Sequence, residues 1–347
     1  MKQPILVIGI CLLSGLVPTT VRASQLPSVT TYSDVYTVGD SLVDPGNVYQ
    51  LIGIPASPPY YEGRFSNGPV WAELLPERLG LTYNPSNNFA YGGSGAGDFH
   101  PTGLPLGARQ QVTSLIGSDG VVDPNALYII STGSNDLRTN TDIPNTVNNI
   151  LESVNRLSDA GAKNFLVVGV PNFARLPASS GRPRLELRAL RQLSASHNRL
   201  LKSSLNEASR SLDLEIDFLN LQSAFNQISR RPQAYGLDNI SDACINIDVS
   251  NIPDPLPEMC SNPDRYLFWD NVHPSRKGHQ LITEAALVSL GYQKKIKRVS
   301  KDDHSIKESS VSLRDQDNIQ SVPESSLKFG ILLSGAVVYL TLRKKKN

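Results

Sequence analysis

The chain has 347 residues, of which 39% are hydrophobic, and its formal net charge is only +1 because 33 basic residues balance 32 acidic ones. This near-neutral charge, without a concentrated basic stripe in the body, argues against nucleic acid as the main partner. The sequence contains no CxxC motif, no HExxH motif and no cluster of cysteine and histidine. We therefore expect no metal site and no cofactor.

The first 23 residues have the pattern of an export signal. Lys2 supplies a positive start, residues 5–17 form an apolar run, and residues 21–23 offer a small-residue cleavage site before Ser24. The alternative is a buried N-terminal strand or helix, which the Pro-Thr-Thr break at residues 18–20 disfavours. We therefore predict a signal peptide over residues 1–23 and export of the protein.

Residues 24–293 have the length of one large domain, and we predict that strands and helices alternate in it. The predicted strands are 35–38, 127–130, 165–168 and 214–218. The predicted helices are 70–79, 143–160, 185–212 and 275–290. This alternation indicates an α/β fold, a three-layer α/β/α sandwich with a central parallel sheet. Residues 53–68 and 231–265, rich in Pro, Asn, Asp and Ser, are predicted loops.

Ser41 directly follows the first predicted strand, within a Gly-Asp-Ser-Leu sequence at residues 39–42. The carboxyl ends of parallel strands face the ligand crevice, so this serine is expected at that edge. A serine that caps a short helix is the alternative. Ser94, two residues after Gly92, is a rival nucleophile, but it lacks the second glycine of a nucleophile elbow.

Far downstream, Asp270 and His273 lie three residues apart, just before Pro274 and a predicted helix. A serine hydroxyl, a histidine base and an orienting acid are the groups needed for acyl transfer through a covalent intermediate. Two further features lie between Ser41 and Asp270 in the sequence. They are a Gly-Gly pair at residues 92–93 and Asn135, which follows the second predicted strand. Both could bind an oxyanion, although an asparagine there could simply cap a helix.

Three other histidines receive no catalytic role. His279 lies inside the helix that follows Pro274 and is predicted to be structural. His100 and His197 have no acidic residue in a matching pattern, so we interpret them as ordinary surface or packing residues.

Four blocks of the chain, in order, resemble the signatures of the GDSL (SGNH) esterase and lipase family. The blocks are residues 39–47, 88–93, 133–136 and 270–274. Residues 59–69 also resemble the larger plant-type and secreted bacterial members, whereas Pro45 departs from the family pattern. The resemblance implies the flavodoxin-like SGNH hydrolase fold.

The resemblance also implies the residues of an oxyanion hole. Ser41 would be the nucleophile, and its own N–H would be one donor to the oxyanion. The N–H of Gly93 would be the second donor, with Gly92 as the neighbouring alternative. The side-chain amide of Asn135 would be the third.

His273 would then act as general base and later as general acid, oriented by Asp270, in hydrolysis of an ester through an acyl-enzyme. The sequence therefore predicts an exported serine hydrolase of carboxylic esters, acting on a small-molecule, lipid or glycan substrate. The alternatives are a carbohydrate O-acetyl esterase, an acyltransferase, or a surface binding protein that keeps the fold without catalysis.

Two cysteines, Cys244 and Cys260, remain after removal of the predicted signal, which contains Cys11. In an oxidising compartment they could form a disulfide. Two free thiols are the alternative.

The C-terminal end of the chain differs from the body. Residues 294–326 are polar and charged, as in a linker. Residues 327–347 contain an apolar run at 329–342 that ends in Arg-Lys-Lys-Lys, as in a membrane stop, with an amphipathic or core helix as the alternative. With Val-Pro-Glu at 322–324, this tail resembles a PEP-CTERM sorting signal, although Ser325 replaces its usual second proline. The resemblance implies transient membrane anchoring and a sorting enzyme as partner.

Overall fold

A sheet of four parallel strands organises the domain. The computed structural model describes residues 31–118, 120–139, 142–247 and 258–292, so the predicted signal peptide, linker and tail lie outside the described residues. The strands, in spatial order, are β1 (Val35–Gly39), β2 (Leu127–Ser131), β3 (Asn164–Gly169) and β4 (Glu215–Asn220). Each overlaps one of the four predicted strands, and this part of the sequence prediction is confirmed.

The helices are α1 (Asn47–Ile52), α2 (Trp71–Arg78), α3 (Ala108–Ile116), α4 (Ser134–Thr139), α5 (Ile143–Asp159), α6 (Arg184–Leu212), α7 (Leu221–Arg230) and α8 (Arg276–Ser289). The four predicted helices correspond to α2, α5, α6 and α8. The other four were not predicted because helices of six to ten residues show too few turns for an apolar period to be recognised.

Alternating side chains of the strands face two separate hydrophobic layers. Leu127 and Ile129 of β2 pack with α2, α7 and α8, whereas Tyr128 and Ile130 pack with α3, α5 and α6. A parallel sheet covered on both faces needs apolar residues at consecutive positions, which is what β2 and β3 contain. The predicted three-layer α/β/α sandwich is confirmed.

The chain changes direction along the sheet at β1. Residues 88–91 run beside β1 on the edge opposite β2, with the N–H of Phe89 donating to the carbonyl oxygen of Thr37 at 2.8 Å. The chain therefore leaves β1 to one side and returns as β2 on the other. Ligands of open α/β sheets bind outside the carboxyl ends of the strands at such a switch point.

A second, two-stranded parallel sheet joins β5 (Asn239–Ala243) and β6 (Tyr266–Phe268). β5 lies in the segment predicted as loop, and that interpretation was wrong here because β5 is short and exposes polar side chains, so no alternation reveals it. Cys244 and Cys260 beside this sheet form a disulfide. Among the described residues, no helix has both the length and the apolar character needed to cross a membrane.

Candidate active site

The sharp turn after β1 presents Ser41 to solvent. A Cβ atom at Gly39 would lie 2.2 Å from the carbonyl oxygen of Ser131, so only glycine lets β1 end this close to β2. The buried carboxylate of Asp40 then accepts a hydrogen bond from the N–H of Leu42 at 3.0 Å. This contact turns the chain so that Ser41, between the two, is half-buried at the carboxyl edge of the sheet.

Asp270 and His273 lie on the loop after β6 and meet Ser41. The Nε2 atom of His273 lies 2.8 Å from the Oγ atom of Ser41, and its Nδ1 atom lies 2.7 Å from Oδ2 of Asp270. The other carboxylate oxygen of Asp270 accepts the N–H groups of Val272 and His273 at 2.8 and 2.7 Å. The structure thus brings together the three side chains predicted as nucleophile, base and acid.

Asp270 is suited to carry a negative charge. Its burial would raise the pKa of the carboxyl, but the charge of His273 and the hydrogen bonds it accepts outweigh burial, so the pKa of Asp270 is lowered from its usual value. An ionised carboxylate on Nδ1 leaves Nε2 of His273 to accept the proton of Ser41.

Two residues that line the cleft have main-chain N–H groups without an acceptor among the described residues. Within the described part of the chain, nothing accepts the N–H of Ser41 or of Gly93. The Nδ2 atom of Asn135 donates one hydrogen to the carbonyl oxygen of Ser94 at 2.9 Å, and a primary amide has a second hydrogen to donate. Ser41, Gly93 and Asn135 all line one cleft, so the donors predicted for an oxyanion lie around a common space.

The structure distinguishes Gly93 from its neighbour. The N–H of Gly92 donates to Oδ2 of Asp44 at 2.7 Å, so Gly92 is not available as an oxyanion donor. A Cβ atom at Gly92 would lie 2.1 Å from the ring of Phe65, and Gly93 adopts φ +90°, a left-handed conformation that favours glycine. Both glycines are therefore required by the local geometry.

Ser94 is not placed as a nucleophile. Its side chain is fully buried, and its Oγ atom donates to the carbonyl oxygen of Leu106 at 2.6 Å. It also accepts a hydrogen bond from Gln111, whose amide bridges to both main-chain groups of Gly39. Ser94 is part of the support beneath the turn that carries Ser41.

His100 is more than the packing residue expected from sequence. It lines the cleft, with its Nε2 atom 2.8 Å from the carbonyl oxygen of Gly92 and its Nδ1 atom 2.7 Å from the hydroxyl of Thr102. Burial lowers the pKa of His100, so a neutral ring donates to Gly92 and supports the glycine loop. A histidine without a sequence pattern gave no signal of this role.

His279 and His197 are buried packing residues, as expected. Burial lowers the pKa of His279 to about 3, and its Nδ1 atom accepts the N–H of Trp71 at 3.2 Å. Burial also lowers the pKa of His197.

The cleft above Ser41 has a volume of about 400 Å³. Its apolar lining consists of Val48, Ile52, Ile54, Phe65, Pro101, Ala178, Ile247 and Val272. A second, narrower recess also reaches Ser41, and its apolar lining includes Leu42, Phe173, Leu176, Leu221 and Phe225. Arg138 lines both recesses beside Asn135. In the described ranges, no group of three or more acidic, histidine or cysteine side chains could bind a metal ion.

Comparison with known proteins identifies the family of the chain. The profile of the GDSL-like Lipase/Acylhydrolase family matches residues 35–286. The chain is 28% identical over 269 residues to the thermolabile hemolysin of Vibrio parahaemolyticus, a match covering 74% of this chain and 63% of the hemolysin. The chain thus spans less than two thirds of that relative. It is 29% identical over 336 residues to the phosphatidylcholine-sterol acyltransferase of Aeromonas hydrophila, covering 82% of this chain and 97% of the acyltransferase.

Among solved structures, a lipolytic G-D-S-L family protein of Veillonella parvula superposes with a TM-score of 0.42 at 12% identity, covering 74% of this chain and 96% of that chain. The family profile spans most of the chain, including every residue of the arrangement described above. The chain belongs to the GDSL-like lipase and acylhydrolase family and is a carboxylic ester hydrolase.

Proposed function

We propose that this protein is an exported serine hydrolase in which Ser41, His273 and Asp270 cleave an ester through an acyl-enzyme. The observation that carries the proposal is the continuous hydrogen-bonded chain from Ser41 Oγ through the imidazole of His273 to Asp270. The Ser41 end of this hydrogen-bonded chain lies at a cleft that Gly93 and Asn135 also line. A nucleophile next to its base, with the base oriented by a third group, is the arrangement that acyl transfer requires.

In the first half-reaction, Ser41 Oγ bonds to the ester carbonyl carbon while its proton moves to Nε2 of His273. The carbonyl oxygen becomes an oxyanion that accepts hydrogen bonds from the N–H groups of Ser41 and Gly93 and from Nδ2 of Asn135. When the tetrahedral intermediate collapses, the bond to the alcohol breaks and His273 returns the proton to the departing oxygen. Water repeats the sequence on the acyl-enzyme and releases the acid.

The shape of the site supports a substrate with an apolar part. An ester bound at Ser41 has one arm on each side of the scissile bond, and two recesses meet there. The wider cleft, with its apolar lining, has room for an acyl chain or a lipid alcohol. Arg138 between the two recesses adds a positive charge close to the bond that breaks.

Acyl transfer to an acceptor other than water is a second candidate. It is favoured by the relative named phosphatidylcholine-sterol acyltransferase, because this chain matches 97% of that protein's length. The chemistry of the first half-reaction is the same, and only the acceptor that attacks the acyl-enzyme differs. Product analysis with and without added alcohol or sterol distinguishes the two.

Export and sorting belong to the proposal as well. The signal-like residues 1–23 support export, and the Cys244–Cys260 disulfide is of a kind that persists in oxidising compartments. The PEP-CTERM-like tail at 327–347 and the likeness to plant-type members remain predictions. Mass spectrometry of the protein purified from its native cell envelope would identify both mature ends.

The proposed function is tested by labelling with a fluorophosphonate probe followed by peptide mapping. We expect one labelled residue, Ser41, and loss of labelling and of p-nitrophenyl ester hydrolysis in Ser41→Ala and His273→Ala. Ser203→Ala is the control, because it removes a hydroxyl on the exposed face of α6, away from the cleft. Undiminished hydrolysis by Ser41→Ala would reject the proposal.

A further inference from the structure

Tyr60 contacts the acid of the proposed triad directly. Its hydroxyl donates to Oδ2 of Asp270 at 2.7 Å. The same oxygen lies 2.7 Å from Nδ1 of His273. Tyr60 is only 2% exposed, so water does not compete for this contact.

The position of Tyr60 is enforced by its surroundings. Its ring packs edge-on against Phe65 and Trp269, with centroid distances of 6.3 and 6.5 Å. Further along the same loop, the hydroxyl of Ser66 donates to the carbonyl oxygen of Pro274 at 2.9 Å. The loop at residues 53–68 is therefore fastened to the loop that carries Asp270 at more than one point.

A hydrogen-bond donor on Oδ2 of Asp270 affects how strongly this carboxylate attracts a proton on His273. A hydrogen bond to an anion stabilises the anion most when no neighbouring cation already neutralises it. The Tyr60 hydroxyl therefore stabilises Asp270 more strongly beside a neutral imidazole than beside an imidazolium. It favours the unprotonated form of His273, which is the form that accepts the proton of Ser41.

We infer that Tyr60 is a positioning residue that acts through Oδ2 of Asp270 and extends activity to lower pH. The inference rests on the proposed function, because it requires His273 to act as a base. Tyr60 is not among the residues that line the two recesses beside Ser41, so we assign its effect on catalysis to its contact with Asp270.

Other titratable or charged groups near Asp270 and His273 also influence them, and the test does not change these groups. Asp40 on the β1 turn and His279 on α8 both interact electrostatically with His273. Arg138 on α4 and His100 line the same cleft. None of these four residues is altered when the Tyr60 hydroxyl is removed.

The test compares Tyr60→Phe with Tyr61→Phe in the full chain. Tyr61 is the matched control, because it is the next residue, is 40% exposed, and packs its ring against Arg64 rather than Asp270. We expect the acid limb of the kcat/KM pH profile to move to higher pH by roughly half a unit to one unit in Tyr60→Phe, as loss of part of one charged hydrogen bond implies. Tyr61→Phe should leave the limb in place.

The limb position does not depend on the amount of active enzyme, so partial misfolding of Tyr60→Phe would not obscure the result. As a second readout, adding Tyr60→Phe to Asp270→Asn should have no further effect on kcat/KM, because the charge through which the hydroxyl acts is gone. An unmoved acid limb, or full additivity with Asp270→Asn, would overturn the inference. If Ser41→Ala were still active, the proposed function itself would fail instead.

Discussion

The carboxylate of Asp44 accepts the N–H of Gly92 at 2.7 Å, across 48 residues of sequence. Its other oxygen accepts the N–H groups of Gly46 and Asn47 at 2.8 and 2.6 Å. One fully buried side chain thus joins the loop after Ser41 to the loop that presents Gly93. Two parts of the proposed oxyanion hole are held in register by a residue that touches no substrate.

Asp44→Asn should reduce kcat about tenfold or more with little change in KM, since one oxyanion donor is worth ~10²–10³ in rate. The amide has only one acceptor oxygen, so the variant loses the bonds on one side of the carboxylate. Steady-state kinetics on a p-nitrophenyl ester measures the effect. Asp34→Asn is the control, because the side-chain carboxylate of Asp34 accepts the N–H of Val35 at the far end of β1, away from the cleft. Unchanged kcat in Asp44→Asn would show that the glycine loop holds its shape alone.

Asn135→Ala should reduce kcat by about 10²–10³, as expected for loss of one oxyanion donor. The side chain donates to Ser94 on one side and lines the cleft on the other, so KM should change little. The control is Asn155→Ala, on the exposed face of α5. A loss that appeared mainly in KM would mean that Asn135 binds the ground state and the transition state equally.

Asp40→Asn should stabilise the protein increasingly as pH rises. Burial raises the pKa of Asp40 from 3.8 to about 7. Since the folded-state value lies above the unfolded one, the contribution of Asp40 to stability is present below about pH 4 and is lost as pH rises through about 7. The amide stays neutral and still accepts the N–H of Leu42, so Tm of the variant minus Tm of the wild type should grow by several degrees between about pH 4 and 7 and stay level above that range.

Calorimetry across that pH range is the measurement, with Asp159→Asn on the exposed end of α5 as control. A difference in Tm that stayed constant with pH would mean that Asp40 remains ionised throughout. Burial also raises the pKa of Asp44 to about 6, so it adds to the decline of wild-type stability in the same direction.

Loss of the Cys244–Cys260 disulfide should lower Tm by roughly 5–10 °C, because a loop of this size is worth about 3 kcal/mol in the chain-entropy model. The main chain beside Cys244 is bonded to the strand before Asp270, with Cys244 N–H donating to Phe268 O at 3.1 Å and Ile245 N–H to Trp269 O at 2.9 Å. We therefore also expect a moderate fall in kcat. The double variant Cys244→Ala/Cys260→Ala and reduced wild type are each compared with oxidised wild type, and added reductant should have no effect on the variant. Equal Tm values for oxidised wild type, reduced wild type and the variant would contradict the prediction.

Local signals account for what was predicted from sequence. The strands β2 and β3 are short runs of mostly apolar residues, and α5 has an apolar stripe with the period of a helix. Both patterns can be recognised without tertiary information. Ser41, Asn135 and His273 stand next to predicted element boundaries, within short motifs. Their residue types, order and positions at the ends of strands were therefore open to inference.

The residues that support the site were harder to predict. Tyr60 lies in a proline-rich loop without periodicity, and its partner Asp270 is 210 residues away. Gln111 sits on a short helix and bonds to Gly39, 72 residues before it. A side chain whose role depends on a distant partner has no pattern in its own segment.

The amino-acid sequence alone determined the alternation of strands and helices and the chemical groups available for catalysis, because propensity, periodicity and short motifs act over neighbouring residues. Tertiary structure decided which groups meet. It placed Ser41 Oγ 2.8 Å from Nε2 of His273, paired the N–H of Gly92 with Asp44, placed Gly93 in the lining of the cleft, and buried Ser94. These outcomes depend on how loops pack at the carboxyl edge of the sheet, where contacts between segments far apart in the chain outweigh local preference.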